Sequence, residues 1–414
     1  MPDKRSFWFH ESHRKVRKMK KEASRLDESH QNLALFYEGK LRELLPLVIL
    51  NSMLSLITFG IYRFWGKTNI RRYLWSRMSL LGQPLEYSGT GMELFVGFLI
   101  IVCFLVPIGF CSFLLPIILL GYGITFGPAL AQGFLGLLFF YLSHIAVYRA
   151  QRYRLSRTSW RGICPELKGS SVTYANQATL CTFLMFISLG LAYPYMQVKL
   201  LKYRIENAAF GGVSFEFGAN VRTLMQAWVI CLSTTIILAL LIYTAVEPHV
   251  SAVVASLSQD IRHIHSLEFL RYLLIPLIFF CLLPITTVWY KAVSIRHFCS
   301  SIKFEGMSAQ SNLTTWNIIQ IYLPLFFFMI FGSLVLLMVA VFMSNELAGQ
   351  AYTIIIFTAF YLFMPIILMH RHLTKIFNSL SLSGSFSPEK LFQSQQDKPK
   401  SGEGLADALN IDAF

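Results

Sequence analysis

In a chain that is 55% hydrophobic and only 14% charged, the side chains able to do chemistry are few, so their placement carries most of the information. Asn51, Ser55 and Thr58 fall along one helical face that ends at Gly60, and Gly190 marks a second break of the same kind. Gln226 stands beside Trp228, and Asn317 and Gln320 open a later apolar stretch. Amides and hydroxyls in such places can line a polar path or join one helix to another. No Asp or Glu lies mid-stretch; Glu93, Glu247, Glu268 and Glu346 sit at ends, which disfavours a carboxylate proton relay. His249, His263 and His265 lack the third or fourth ligand that zinc normally takes. Seven cysteines contain no C-x-x-C pair. No metal or other cofactor is expected, and no nucleophile with its base is visible, so the chain does not read as an enzyme.

Those residues must be held by membrane elements, because 414 residues of this composition carry too little polar surface for a soluble globule. A bilayer core of about 30 Å needs about 20 apolar helical residues. Six stretches qualify, at 94–120, 125–148, 224–246, 268–290, 318–343 and 351–369. Two others, 46–64 and 177–195, are shorter and broken at Gly60 and at Gly190 with Pro194. Lys and Arg concentrate in cytoplasmic loops. If all eight stretches cross, they divide 23 against 13; if the two short ones enter and return on one face, they divide 34 against 2. The expectation is an all-α polytopic protein with six full spans, two short re-entrant or interfacial helices and both termini cytoplasmic.

One constant shift lays Gly39–Leu94 on Gly169–Leu224 without a gap, nine of 56 pairs being identical, among them Gly60 with Gly190 and Tyr73 with Tyr203. After each short helix comes a basic arm, Trp65 to Arg71, Arg72 and Tyr73 in one, Lys202 and Tyr203 in the other. Each arm runs into a glycine-centred stretch, at Gly82 and Gly212, that reads as a small cytosolic β-hairpin. Trp289, Lys291, Arg296 and Gly306 repeat the spacing of Trp65, Lys67, Arg72 and Gly82, and Leu380–Phe386 is a fainter echo. The chain divides accordingly into a basic cytosolic segment (1–35), a first membrane unit (36–168), a second, parallel to it (169–300), a partial third (301–384) and a disordered tail (385–414).

Gly60-Ile61-Tyr62-Arg63-Phe64-Trp65, the Arg71-Arg72-Tyr73 arm, Tyr87-Ser88-Gly89-Thr90-Gly91 with Glu93-Leu94, and Arg154 to Gly162 resemble the YjgN-like family of bacterial inner-membrane proteins. The pattern departs at Gly190–Tyr195, where the resemblance leads one to expect a tryptophan after Pro194. The resemblance implies a location in the bacterial inner membrane and an architecture; it brings no catalytic residues.

Two functional classes follow. One is a transporter or channel for a small solute, with Asn51, Ser55, Thr58, Gly60, Gly190, Gln226, Asn317 and Gln320 near its path. The other is a membrane-organising scaffold in which Trp65, Arg71, Arg72, Tyr73, Lys202, Tyr203, Trp289 and Arg296 serve anionic lipid headgroups or hold the repeated fold together. The lipid bilayer is the expected partner, nucleic acid is not, and pairing with itself or with a cytosolic protein fits the exposed hairpins.

Overall fold

Five times in this chain a short extended run gives way, after the same brief link, to a helix. In the computed structural model, which describes residues 33–257, 285–342 and 366–384 with Met364 and Leu391, the runs end at Tyr37, Tyr87, Leu167, Phe217 and Ser311. The helices begin at Leu41, Gly91, Ser171, Val221 and Thr315. The cap chemistry explains the sharp starts: Thr90 and Ser170 accept from the backbone N–H groups of Glu93 and Thr173, Asn220 from Arg222, and Thr314 from Asn317.

In chain order the elements are β1 (Leu33–Tyr37), α1 (Leu41–Ile57), α2 (Arg63–Ser76), β2 (Met78–Leu80), β3 (Gln83–Pro84), β4 (Glu86–Tyr87), α3 (Gly91–Gly121) and α4 (Gly127–Ser156). Then come β5 (Thr158–Ser159), β6 (Glu166–Leu167), α5 (Ser171–Ile187), α6 (Tyr193–Glu206), β7 (Ala208–Phe210), β8 (Val213–Ser214), β9 (Glu216–Phe217) and α7 (Val221–Leu257). After α8 (285–300) follow β10 (Ile302–Phe304), β11 (Met307–Ser311), α9 (Thr315–Phe342), α10 (366–377) and β12 (Leu380–Ser383).

The strands form a closed succession. Seven lie in the order β3-β2-β1-β12-β11-β10-β9, joined through chain continuity to the pair β4-β5 and the trio β6-β7-β8. One register recurs at every junction between consecutive units: Phe36 opposite Ser79, Glu86 opposite Ser159, Glu166 opposite Ala209, Glu216 opposite Lys303, and Gln310 opposite Ser381. A second recurs inside each turn: Leu80 with Gln83, Trp160 with Ile163, Phe210 with Val213, Phe304 with Met307. Leu382 with Leu33 completes that set, so the fifth hairpin is made from the two ends of the described chain. The interior is apolar, with Trp160, Phe210, Phe304 and Leu391 buried together against Leu80, Leu81, Leu85, Ile163, Val213, Phe215 and Met307. The expected hairpins are therefore present and linked, with a further one at Arg161-Gly162.

From this β layer the helices leave and return in pairs. The molecule is mostly helical, and among the described residues four helices are long and apolar enough to cross a membrane: Gly91–Gly121, Gly127–Ser156, Val221–Leu241 and Thr315–Gly332. The stretches expected at 268–290 and 351–369 lie largely outside the described residues. Each basic arm is a helix, as its sequence suggests, and it turns back against the short helix before it, so that Leu41–Ile57 pairs with Arg63–Ser76 and Ser171–Ile187 with Tyr193–Glu206. The shift that aligns the two halves of the sequence also carries the bounds of α1 and α2 onto those of α5 and α6. It carries the starts of β2, β3, β4 and α3 onto those of β7, β8, β9 and α7.

Candidate functional site at the short hairpins

Each short helical hairpin is closed by a left-handed pair, Phe59 (φ 50°) with Gly60 (φ 86°) and Leu189 (φ 50°) with Gly190 (φ 88°). The N–H of Gly60 bonds Ser55 O at 2.7 Å and that of Gly190 bonds Met185 O at 2.8 Å, capping the first helix in both. A hydroxyl staples each turn: Thr58 Oγ1 accepts from Tyr62 N at 2.9 Å, and Ser188 Oγ from Ala192 N at 3.0 Å. The tips are apolar and open. Phe59 is 99% exposed, Ile57 74%, Leu189 87% and Ile187 81%.

Their reach follows from their neighbours. Trp228 Nε1 donates to Gly190 O at 2.9 Å, and a Cβ added at Gly190 would meet Leu232 Cδ1 at 4.0 Å. Those residues lie seven and eleven positions beyond Val221, about 10 and 16 Å along α7 at 1.5 Å per residue. In the other hairpin the Phe64 ring meets Phe95 at 5.7 Å and Phe98 at 5.1 Å, one to two turns into α3. The later tip thus stands about 10–16 Å along α7, short of the roughly 30 Å that a helix must cover to span a hydrocarbon core.

The residues singled out by sequence fall into separate local networks. Asn51 is 5% exposed and faces α2, its Oδ1 accepting from Asn69 Nδ2 at 3.5 Å, with Gly66 leaving the space it fills. Ser55 Oγ donates to Asn51 O at 2.8 Å, and Thr58 Oγ1 to Leu54 O at 2.8 Å. Gln226 is exposed on α7. Asn317 sits in the cap of α9, while Gln320 accepts from Lys375 Nζ at 2.6 Å and, through its carbonyl, from Arg371 Nη1 at 2.9 Å. No hydrogen bond among the described residues links Asn51, Ser55 or Thr58 to Gly190, Gln226, Asn317 or Gln320.

Several residues of the basic arms have partners inside the fold. Arg71 is buried and donates to Tyr87 OH at 3.3 Å, Arg72 Nη2 to Gly89 O at 3.0 Å, and Tyr73 OH to Lys40 O at 3.1 Å. Tyr203 OH makes the matching bond to Ser170 O at 2.9 Å, and Arg152 donates to Leu167 O and Gly169 O. Trp65 packs on Phe95, and Trp289 on the cluster of Ala227, Cys231 and Tyr290. Lys202, paired with Glu206 at 3.7 Å, and Arg296 remain on the surface.

Two clusters escaped the sequence reading. Tyr73 and Arg77 share Glu43 Oε2 at 3.2 and 2.8 Å, and Tyr153 and Arg157 share Glu93 Oε2 at 2.7 and 3.1 Å. The signal was the Tyr-x-x-x-Arg spacing, which occurs at the end of each return helix concerned. Where the last unit meets the first, Tyr37 OH lies 2.9 Å from His370 Nδ1. Burial holds the Tyr37 phenol well above its usual range and, with the Arg371 cation, holds His370 below its own, so the bond joins a neutral phenol to a neutral ring. Burial first, then Lys291, lowers His372 to about 4, keeping it uncharged.

A family described as bacterial protein of unknown function, DUF898, matches residues 32–408. The inner membrane protein YjgN of Salmonella typhimurium is 29% identical over 136 residues, 33% of this chain and 31% of that protein. The protein of the same name from Escherichia coli is 39% identical over 56 residues, 14% of each. The chain thus matches about a third and about a seventh of those relatives' lengths. No solved structure matches it.

Proposed function

The chain belongs to the DUF898 family of bacterial proteins of unknown function, and from that premise we propose a non-catalytic membrane-organising protein of the bacterial inner membrane. In this reading six spanning helices stand on a cytoplasmic β ring, both termini are cytoplasmic, and the two short hairpins enter only the leaflet next to that ring. Recurring units, pairs of helices returning to one β layer, would have arisen by duplication. The charge division of 34 against 2 supports the sidedness.

One observation carries the choice over a conduit. Trp160, Phe210, Phe304 and Leu391 are buried together against the hairpins of the β layer, whereas apolar side chains stand open on the hairpin tips, at Phe59 and Leu189, as they do along the long helices. Apolar surface of that kind seeks acyl chains. Inserted to half depth, it adds volume to one leaflet without adding any to the other.

The test is reconstitution of the purified full chain into vesicles of mixed diameter. Enrichment on small vesicles, lost in the Phe59→Asp, Leu189→Asp double variant while that variant still inserts, is the expected result. Equal distribution over all diameters overturns it. Small-solute flux above that of empty vesicles, abolished by Asn51→Leu, would instead favour the transporter.

A further inference from the structure

The hairpins of the β layer converge on a residue that none of them contains. Leu80, Trp160, Phe210 and Phe304 hold one register position, the last before the turn in four successive hairpins. Trp160, Phe210 and Phe304 are buried together, with Leu80 packed against them. Leu382 holds the same position in the hairpin made by the two ends of the chain, yet the fourth buried member of the group is Leu391. That leucine stands seven positions beyond Gly384, belongs to no helix or strand, and is 8% exposed.

The hollow is shaped for it at one point. Leu81, Arg161 and Glu305 carry side chains at the first left-handed position of their turns, whereas the matching residue of the third turn is Gly211. A Cβ at Gly211 would stand 2.7 Å from both Cβ and Cδ2 of Leu391. Among the described residues the neighbours of Leu391 are apolar side chains and this glycine, so packing of one side chain is what holds it. Burying one leucine favours the docked over the open state about tenfold to a hundredfold. A preference of that size leaves roughly 1–10% of chains open.

We propose that these four hairpins form a binding site for one branched aliphatic side chain of a peptide, whose ligand is the chain's own tail, docked reversibly through Leu391. Docked, the tail ties four hairpins at a single point. Released, it leaves an apolar hollow between Trp160, Phe210 and Phe304. The site stands whether or not the short helical hairpins enter a leaflet, and so goes beyond the reading above.

A synthetic peptide of residues 386–396, with photo-leucine in place of its leucine, is mixed in excess with the purified full chain and illuminated. The labelled fraction is read by intact-mass spectrometry over a series of peptide concentrations. The parent, whose own tail competes, is expected to need about ten to a hundred times more peptide for half-labelling than Leu391→Ser, whose hollow is vacated. Adding Gly211→Ala to Leu391→Ser should remove most of the label, and unlabelled peptide should compete only when it keeps its leucine. Equal labelling of the parent and Leu391→Ser overturns the site, as does labelling that Gly211→Ala leaves unchanged. A folded Leu391→Ser chain that takes no label overturns it too, by making Leu391 a permanent core residue. Loss of folding in Leu391→Ser has the same meaning, because release of a reversible ligand leaves a folded open state behind.

Discussion

Gly211 owes its missing side chain to a neighbour and not to its backbone. Four hairpin turns hold two consecutive left-handed residues, Leu81-Gly82, Arg161-Gly162, Gly211-Gly212 and Glu305-Gly306, as tight two-residue loops do. Three carry a side chain at the first position with φ between 44° and 53°, so that conformation tolerates one. At 211 an added Cβ would stand 2.7 Å from Leu391. Gly211→Ala is expected to cost about 1–3 kcal/mol by overpacking, and Leu391→Ala in the same chain to return most of it. Thermal unfolding of the two single variants and the double checks this; additive losses would reject the contact. Turn glycines at 60, 82, 190, 212 and 306 were legible in the sequence because their conformation is local. The partners of Arg71 and Arg72 were not, since Tyr87 and Gly89 reach them only once the strand has turned.

Among the elements, a short hairpin and a long one begin and end alike, and length alone separates them. The 17 residues of α1 span about 25 Å and the 31 of α3 about 46 Å, so the second has length to spare over a hydrocarbon core of about 30 Å and the first does not. The short helices and the helical arms after them were both readable, but not the return of each arm against its helix, because α2 and α6 look solvated by composition. Several of their charges and hydroxyls bond to carbonyls and rings elsewhere in the fold, which composition cannot reveal. The turn itself is testable: Gly60→Val and Gly190→Val each force a β-branched residue into a φ of 86° or 88° and should cost about 1–3 kcal/mol. Gly60→Asn, which tolerates that region better, should melt closer to the parent protein. Equal melting of all three variants and the parent would deny that the left-handed turn is needed.

For the whole molecule, the decisive pairing is β1 with β12, which sets Ala34 opposite Ser381. In a background without native cysteines, Ala34→Cys with Ser381→Cys should be joined within one chain by a short bis-maleimide; joining only between two chains would mean that the ends serve neighbouring copies. The sequence showed a long period and glycine echoes, yet not the finer unit, whose fifth hairpin is divided between the chain's extremities and so has no contiguous motif. That division has a consequence for biogenesis. A nascent chain can deliver its helices to the membrane pair by pair as they leave the ribosome, but β1 waits with an unpaired edge until Leu380–Ser383 has been synthesised. The first of the described strands to be made thus gains β2 early but is among the last to have both edges paired, and any product stopped before Leu380 would carry an open sheet edge for as long as it survived.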